Sequence, residues 1–434
     1  MRKNFKKRVV LLATTAMLAL SVMGCSSNGE EAQTPAPEKQ TEQNTEETKR
    51  SEATDAAYLK AYFDVTVEDT VTAESFSAAL KKVANDTAQD VEGDLTVLSA
   101  VKAAMKAADY EELVLSYPEE KVQDRLEKHG VSFEGEISNA AYLACAMDTQ
   151  LISEELGAEA AKEDELSKEA AERLLMAVAE ANGDARNYLG ESDDPDIYAK
   201  IDQAWNSFIL FDDGELSEIG RKSVQEGITT GYGLKSEAYS ARFLPELTLQ
   251  YGHSDIKHAH QLIGLLNSED IKVKVQLEPK VSIYEYLLEW GDIPETTPTY
   301  EVKQFDDLYL VYAIEYDMQL EFENTEDMKR FDSVIKDYAK KNEGNEEAIG
   351  LIFGSWWQPL YSTVRTDMSQ EDYHQIVDCV IKNGIYSIHP FCLVEDQEKV
   401  VTALEEISGD LKVEPVDRYC NTAFYNYMTG ADYQ

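Results

Sequence analysis

The chain is short of basic residues, of cysteine and of long apolar runs, and each shortage excludes something. Lysine and arginine number 40 against 83 acids in 434 residues, a formal net charge of −43. So acidic a surface repels phosphate backbones and anionic headgroups, which excludes a nucleic-acid partner. The five cysteines form no CxxC pair, so structural zinc has no ligand set. Beyond the first 25 residues no segment is long and apolar enough to span a bilayer. Neither a Gly-rich phosphate loop nor a GxSxG elbow occurs. Cys379 and His374, read as sharing a helix, are spaced i, i+5, a poor geometry for nucleophile and base. No metal and no cofactor are expected.

What is present starts at the amino terminus. Arg2, Lys3, Lys6, Lys7 and Arg8 precede a mostly apolar run over 9–23, the charged and apolar regions of a signal peptide. The run ends in Val22-Met23-Gly24-Cys25, which resembles the lipobox of bacterial lipoproteins, although Met23 is bulkier than that family's usual residue. The resemblance implies removal of 1–24 and a diacylglyceryl group on the Cys25 sulfur. The chain would then be anchored at the outer face of the cell membrane, or at the outer membrane of a two-membrane envelope, which Ser26 would permit. Cleavage makes the net charge five units more negative, because the signal carries five basic residues and no acid. Residues 25–53 have alanine as their only apolar residue after Cys25, too little to offset ordering entropy, and are expected to form a disordered acidic tether.

Residues 54–190 read as helical. Thr72, Thr96, Ser138 and Ser167 each stand where an N-cap precedes apolar residues at i, i+3, i+4 and i+7 spacing. Residues 142–152, a loop, and 166–175 resemble one repeat of the S-layer homology (SLH) family, with 71–80 like an isolated second helix and Gly227–Tyr232, Phe243 and Pro245 echoing another. The resemblance implies a helical scaffold that binds anionic wall polysaccharide through a motif arginine and aromatics. The Thr and Arg slots here hold Thr72 and Ala73, then Ser167 and Lys168, and Gln150 stands where the turn glycine belongs.

A connecting segment is expected at 191–246, and an α+β domain at 247–434. The latter reads as ferredoxin-like β-α-β units with a mainly antiparallel sheet, which makes the whole a multidomain α+β protein. Residues 308–322 alternate so clearly that Leu310, Tyr312, Ile314 and Tyr316 should be buried and Glu315, Asp317, Gln319 and Glu321 wet. Among Cys145, Cys379, Cys392 and Cys420, one disulfide within the last three is open.

Candidate ligand-binding residues are His253 and Ser254, at the start of a helix whose free N–H groups could hold an anion, and Trp356, Trp357 and Tyr361, an aromatic platform for sugar or peptide. His253, Asp255, His258 and His260 cluster, but His258 and His260 point to opposite sides of a helix, which argues against a metal. Glu315 and Asp317 lie roughly 7 Å apart on one strand face, a spacing that acidic surface strands produce routinely. These features together point to a non-enzymatic cell-surface lipoprotein with a binding or structural role. Its expected partners are the membrane, through lipid, and a cell-wall polymer, a soluble ligand or another envelope protein. The alternatives are the substrate-binding lipoprotein of a transporter and an envelope hydrolase.

Overall fold

A computed structural model describes residues 51–84, 88–338, 361–364 and 373–431. Cys25, most of the tether, Trp356, Trp357 and a strand expected near 350–355 lie outside the described residues.

The amino-terminal region is helical, with α1 (Asp55–Phe63), α2 (Ala73–Val83), α3 (Val97–Ala107), α4 (Glu111–Leu115), α5 (Glu119–Lys128), α6 (Ile137–Asp148), α7 (Glu154–Ala161) and α8 (Lys168–Ala181). The starts follow side-chain capping: Thr72, Thr96 and Ser167 accept the N–H groups of Ser75, Ser99 and Ala170. Ser138 does not cap; α6 begins one residue earlier and Glu136, its N-cap, makes no side-chain bond. After α6 the chain turns through Gln150 at φ 59, a left-handed conformation that favours glycine. One apolar core joins these helices through Phe76, Leu80, Val101, Met105, Leu143, Leu174 and Leu175. Each such side chain contributes about 1.5–3 kcal/mol on burial.

The second half is a curled antiparallel half-barrel sheet with interspersed helices. Its elements are β1 (Gly190–Glu191), α9 (Ile197–Ser207), α10 (Gly214–Gln225), β2 (Gly231–Ser236), β3 (Thr248–His253), α11 (Ile256–Ser268), β4 (Val273–Glu285), β5 (Tyr300–Phe305), β6 (Leu308–Phe322), α12 (Thr325–Tyr338), β7 (Ser362–Thr363), β8 (Tyr373–Asn383), β9 (Tyr386–His389), β10 (Phe391–Leu393), α13 (Gln397–Ser408), β11 (Val413–Asn421) and α14 (Thr422–Thr429). The strand order is β3-β6-β4-β2-β9-β8-β11-β7, with β1 on β4, β5 on β6 and β10 on β8. Strands β3 and β4 flank β6 and are joined by α11, so the helix crosses over an antiparallel neighbour. The terminal strands β3 and β7 touch, which is the curl.

Helices cover one face in two apolar clusters. Helices α9, α11 and α12 pack on Leu249, Tyr251, Val275, Met318 and Leu320, while α10 and α13 pack on Leu234, Ile283, Ile381 and Ile388. Residues 191–246 are more than a connection, since they supply α9, α10 and the inner strand β2, whose Gly231–Lys235 pairs with β4. Two sequence expectations are corrected. Cys379 and His374 lie on strand β8, not on a helix, and an odd spacing puts them on opposite faces. The second face of β6 is not wet: Asp317 and Glu321 are each only 1% exposed. Alternation marked that face polar correctly, but strand order and the neighbouring segments decide its burial.

Candidate functional site

Strand register gathers the polar residues on the face away from the helices. Asp317 stands opposite Glu278, Lys280 opposite Glu315, and Lys235 opposite both Lys280 and Ser387. The Asp317 carboxylate takes Lys235 Nζ at 2.5 Å and Lys280 Nζ at 2.7 Å. Around this pair of bonds, Lys235 lies 3.7 Å from Glu278, Ser282 donates to Glu315 at 2.6 Å, and Gln319 donates to Glu278 at 3.0 Å. Burial opposes ionisation of Asp317, but the two ammonium groups more than offset it and hold its pKa well below the usual carboxylate range. Burial likewise opposes charge on Lys235, and Asp317 and Glu278 hold its pKa above the ordinary lysine value.

Two strands along, the same face carries Ser387, His389 and Asp378. Ser387 Oγ lies 2.9 Å from His389 Nε2, and His389 Nδ1 lies 3.0 Å from Asp378. These are the partners and distances of a nucleophile, base and orienting acid. Burial works against the charged Asp378, yet His389, Arg418 at 3.7 Å and Lys235 hold its pKa below the ordinary value. Ser387 is 1% exposed, however, in the middle of a sheet and paired with Lys235 and Lys382. Ser387 and His389 are two apart on one strand, and Asp378 faces them from the neighbouring strand. Their i, i+2 alternation was readable in the sequence, but the pairing with Asp378 depends on register.

The residues singled out from sequence fall elsewhere. His253 ends β3, with its ring 3.9 Å from that of His258. Its Nδ1 accepts the Asp255 N–H at 2.8 Å, which puts the proton on Nε2, a buried atom without a partner. Burial and the adjacent His258 push its pKa down to about 4, so it is neutral at pH 7. His260 turns away to Asp202 at 2.9 Å. Ser254 is exposed, and it is the Asp255 carboxylate that caps α11 through Lys257 N; an acid thus stands where an anion would have to sit. Tyr361 is 2% exposed in the α12 core, edge-on to Phe331, so its ring is packed and not a platform. Among the described residues, Glu191, Asp193 and Asp194 come close enough for a cation, but Lys272 and Lys200 already pair with them.

A third polar group joins the two halves. Arg186, just after α8, donates from Nε to both Glu321 oxygens at 2.8 and 3.1 Å and lies over the Tyr58 ring at 4.3 Å. The Tyr58 hydroxyl donates to Arg242 O at 2.9 Å and the Tyr62 hydroxyl to Phe243 O at 2.5 Å. Leu244 N donates to Glu321 at 2.6 Å. Helix α1 is thereby tied to the chain entering β3, and that segment is tied to the buried end of β6.

Comparison with protein-family models, with curated proteins and with solved structures returns no match. No family is assigned. Among the described residues no helix is long and apolar enough to cross a membrane.

Proposed function

We propose that the chain is an envelope lipoprotein, held to the outer face of the cell membrane through lipid on Cys25, that works by binding and not by catalysis. The observation that carries this is the closure of the chemistry-bearing groups. Asp317 and Glu278 balance the charges of Lys235 and Lys280, and Ser387, His389 and Asp378 are hydrogen-bonded together with the serine buried. A nucleophile must meet a carbonyl at about 3 Å, and Ser387 has no free approach.

A second reading, an envelope hydrolase, draws on the Ser387–His389–Asp378 distances, which suit acyl transfer should the sheet open. The substrate-binding lipoprotein of a transporter has less support, since such lobes are built on parallel strands and the ladders here are antiparallel. The finer fold likenesses belong to the same proposal: an SLH-like scaffold at 54–190, with Gln150 in the turn glycine's conformation, and a ferredoxin-like arrangement in β3, α11, β4 and β6.

The anchor is tested by growing cells expressing the full chain with an alkyne fatty acid. Label should appear on the protein and vanish in Cys25→Ala; label retained in that variant would remove the anchor from the proposal.

A further inference from the structure

The junction between the halves holds an open cleft of about 510 Å³, a size typical of small-molecule sites. Its walls come from both sides: Tyr62, Phe63 and Asp64 at the end of α1, Lys81 and Lys82 on α2, Asp184 just after α8, and Arg242 from the strand-entry segment. The chain has twice as many acids as bases, yet here three cations outnumber two acids, Asp64 and Asp184. Lys81 is drawn to Asp90 at 2.5 Å, and Lys82 donates to the Asp64 backbone carbonyl at 2.7 Å while lying 3.5 Å from the Asp64 carboxylate, a group that Lys60 also neutralises.

Arg242 is set apart in two ways. Its guanidinium forms no ion pair among the described residues, and its Nε is buried without a hydrogen-bond partner. Its backbone sits at φ 49, a left-handed conformation that costs a non-glycine residue about 1 kcal/mol or more. The carbonyl made available by that turn receives Tyr58, so the strained backbone holds the side chain at the cleft.

We propose that this cleft binds a small organic anion, a carboxylate or phosphate carried on a ring. Arg242, Lys81 and Lys82 take the charge, and Tyr62 and Phe63 wall the ring. The aromatic walls suit a sugar or an aromatic ring, whose apolar face packs on theirs, while the guanidinium suits two oxygens of one headgroup. A ligand held from both walls fastens the helical region to the sheet. The proposal rests on the binding role given above and supplies its ligand class.

The test uses the mature chain with Cys25→Ser, in thermal-shift and calorimetric titrations with glucuronate, glucose 6-phosphate and glucose, at matched ionic strength in chloride. At least one of the two anions should raise the melting point by about 3 °C or more near saturation, with glucose and chloride inactive. Arg242→Met should weaken that binding at least tenfold, and Lys82→Met, on an exposed helix face, should weaken it without disturbing the junction. Response to glucuronate alone would assign a carboxylate ligand, and to glucose 6-phosphate alone a phosphate. The proposal is overturned if neither anion binds, or if binding is unchanged in both variants. Binding of glucose alone would also overturn it while leaving a binding role intact, whereas covalent chemistry at Ser387 would remove the binding role itself.

Discussion

Replacing Asp317 by asparagine keeps the shape of the side chain and removes the charge that holds Lys235 and Lys280. Two charge-assisted bonds, at 2.5 and 2.7 Å, are lost to a neutral acceptor. Glu278 at 3.7 Å and Glu315 at 4.0 Å are left as the nearer carboxylates for those lysines. Removing one partner of a buried ion pair costs about 3–5 kcal/mol, because the remaining charge is left without compensation. That is a large part of a domain's usual stability of about 5–15 kcal/mol. The assay is urea unfolding of the mature chain, with tryptophan emission and far-ultraviolet circular dichroism recorded together. All four tryptophans lie after residue 200, and Trp205 packs edge-on against Tyr316 of β6, so emission reports the sheet. Its midpoint should fall sharply in Asp317→Asn, and adding Lys235→Met should recover part of the loss.

The same variant changes the response to acid. Asp317's folded pKa lies below its unfolded value, so its contribution is fully present above the ordinary carboxylate pKa of about 4 and is lost as pH falls through the lower folded value. Asp317→Asn should therefore flatten the acid limb of sheet stability. A loss under about 1 kcal/mol, with an unchanged acid limb, would refute the claim that this triad holds the sheet.

Three further outcomes are expected. In the helical region, burial opposes charge on Asp148, but hydrogen bonds from Arg125, His129 and Tyr117 hold its pKa down to about 2. Asp148→Asn should cost about 1–2 kcal/mol above pH 5, allowing for its partial exposure, and the difference should shrink as pH falls toward 2; equal chemical stability at pH 7 would refute this. At Gly220 in α10 an added Cβ would collide with the Tyr232 ring of β2, so Gly220→Ala should destabilise by about 1–3 kcal/mol despite alanine's better helix propensity, measured by the emission midpoint. Cys379 and Cys392 bring their sulfurs to 3.7 Å across β8 and β10. Treatment with diamide, which is reduced as the two thiols lose their hydrogens, should give an intramolecular disulfide and a mass lower by about 2 Da, absent in Cys392→Ser; an unchanged mass in the wild type would contradict the contact.

Local order was legible in the sequence where local chemistry decides it. Thr72, Thr96 and Ser167 cap as their spacing with the following apolar residues indicates, and β6 spans the 308–322 run of alternation. Misreadings arose where tertiary pairing wins. Residues 373–383 have apolar Ile376, Val377, Val380 and Ile381 at a spacing that also suits a helix face, yet pairing with β9 and β11 draws them into a strand. The wet face assigned to Glu315, Asp317 and Glu321 ignored what lies across β4, where Lys235 belongs to a strand some 80 residues away in sequence. The candidate sites suffered most. Ser387, His389 and Asp378 carry no motif and meet only through register, and Arg242 looks ordinary until its backbone conformation and missing partner are seen.

The central claim, that the catalytic-looking groups serve the fold, is tested most directly at Ser387. The mature chain should be incubated with a fluorophosphonate, which phosphonylates an activated serine with loss of fluoride, and its intact mass followed over hours at pH 6 to 9. No adduct at Ser387 is expected, in the wild type or in His389→Ala. An adduct on Ser387 that forms in the wild type and disappears in His389→Ala would contradict the account and make the sheet face an active site.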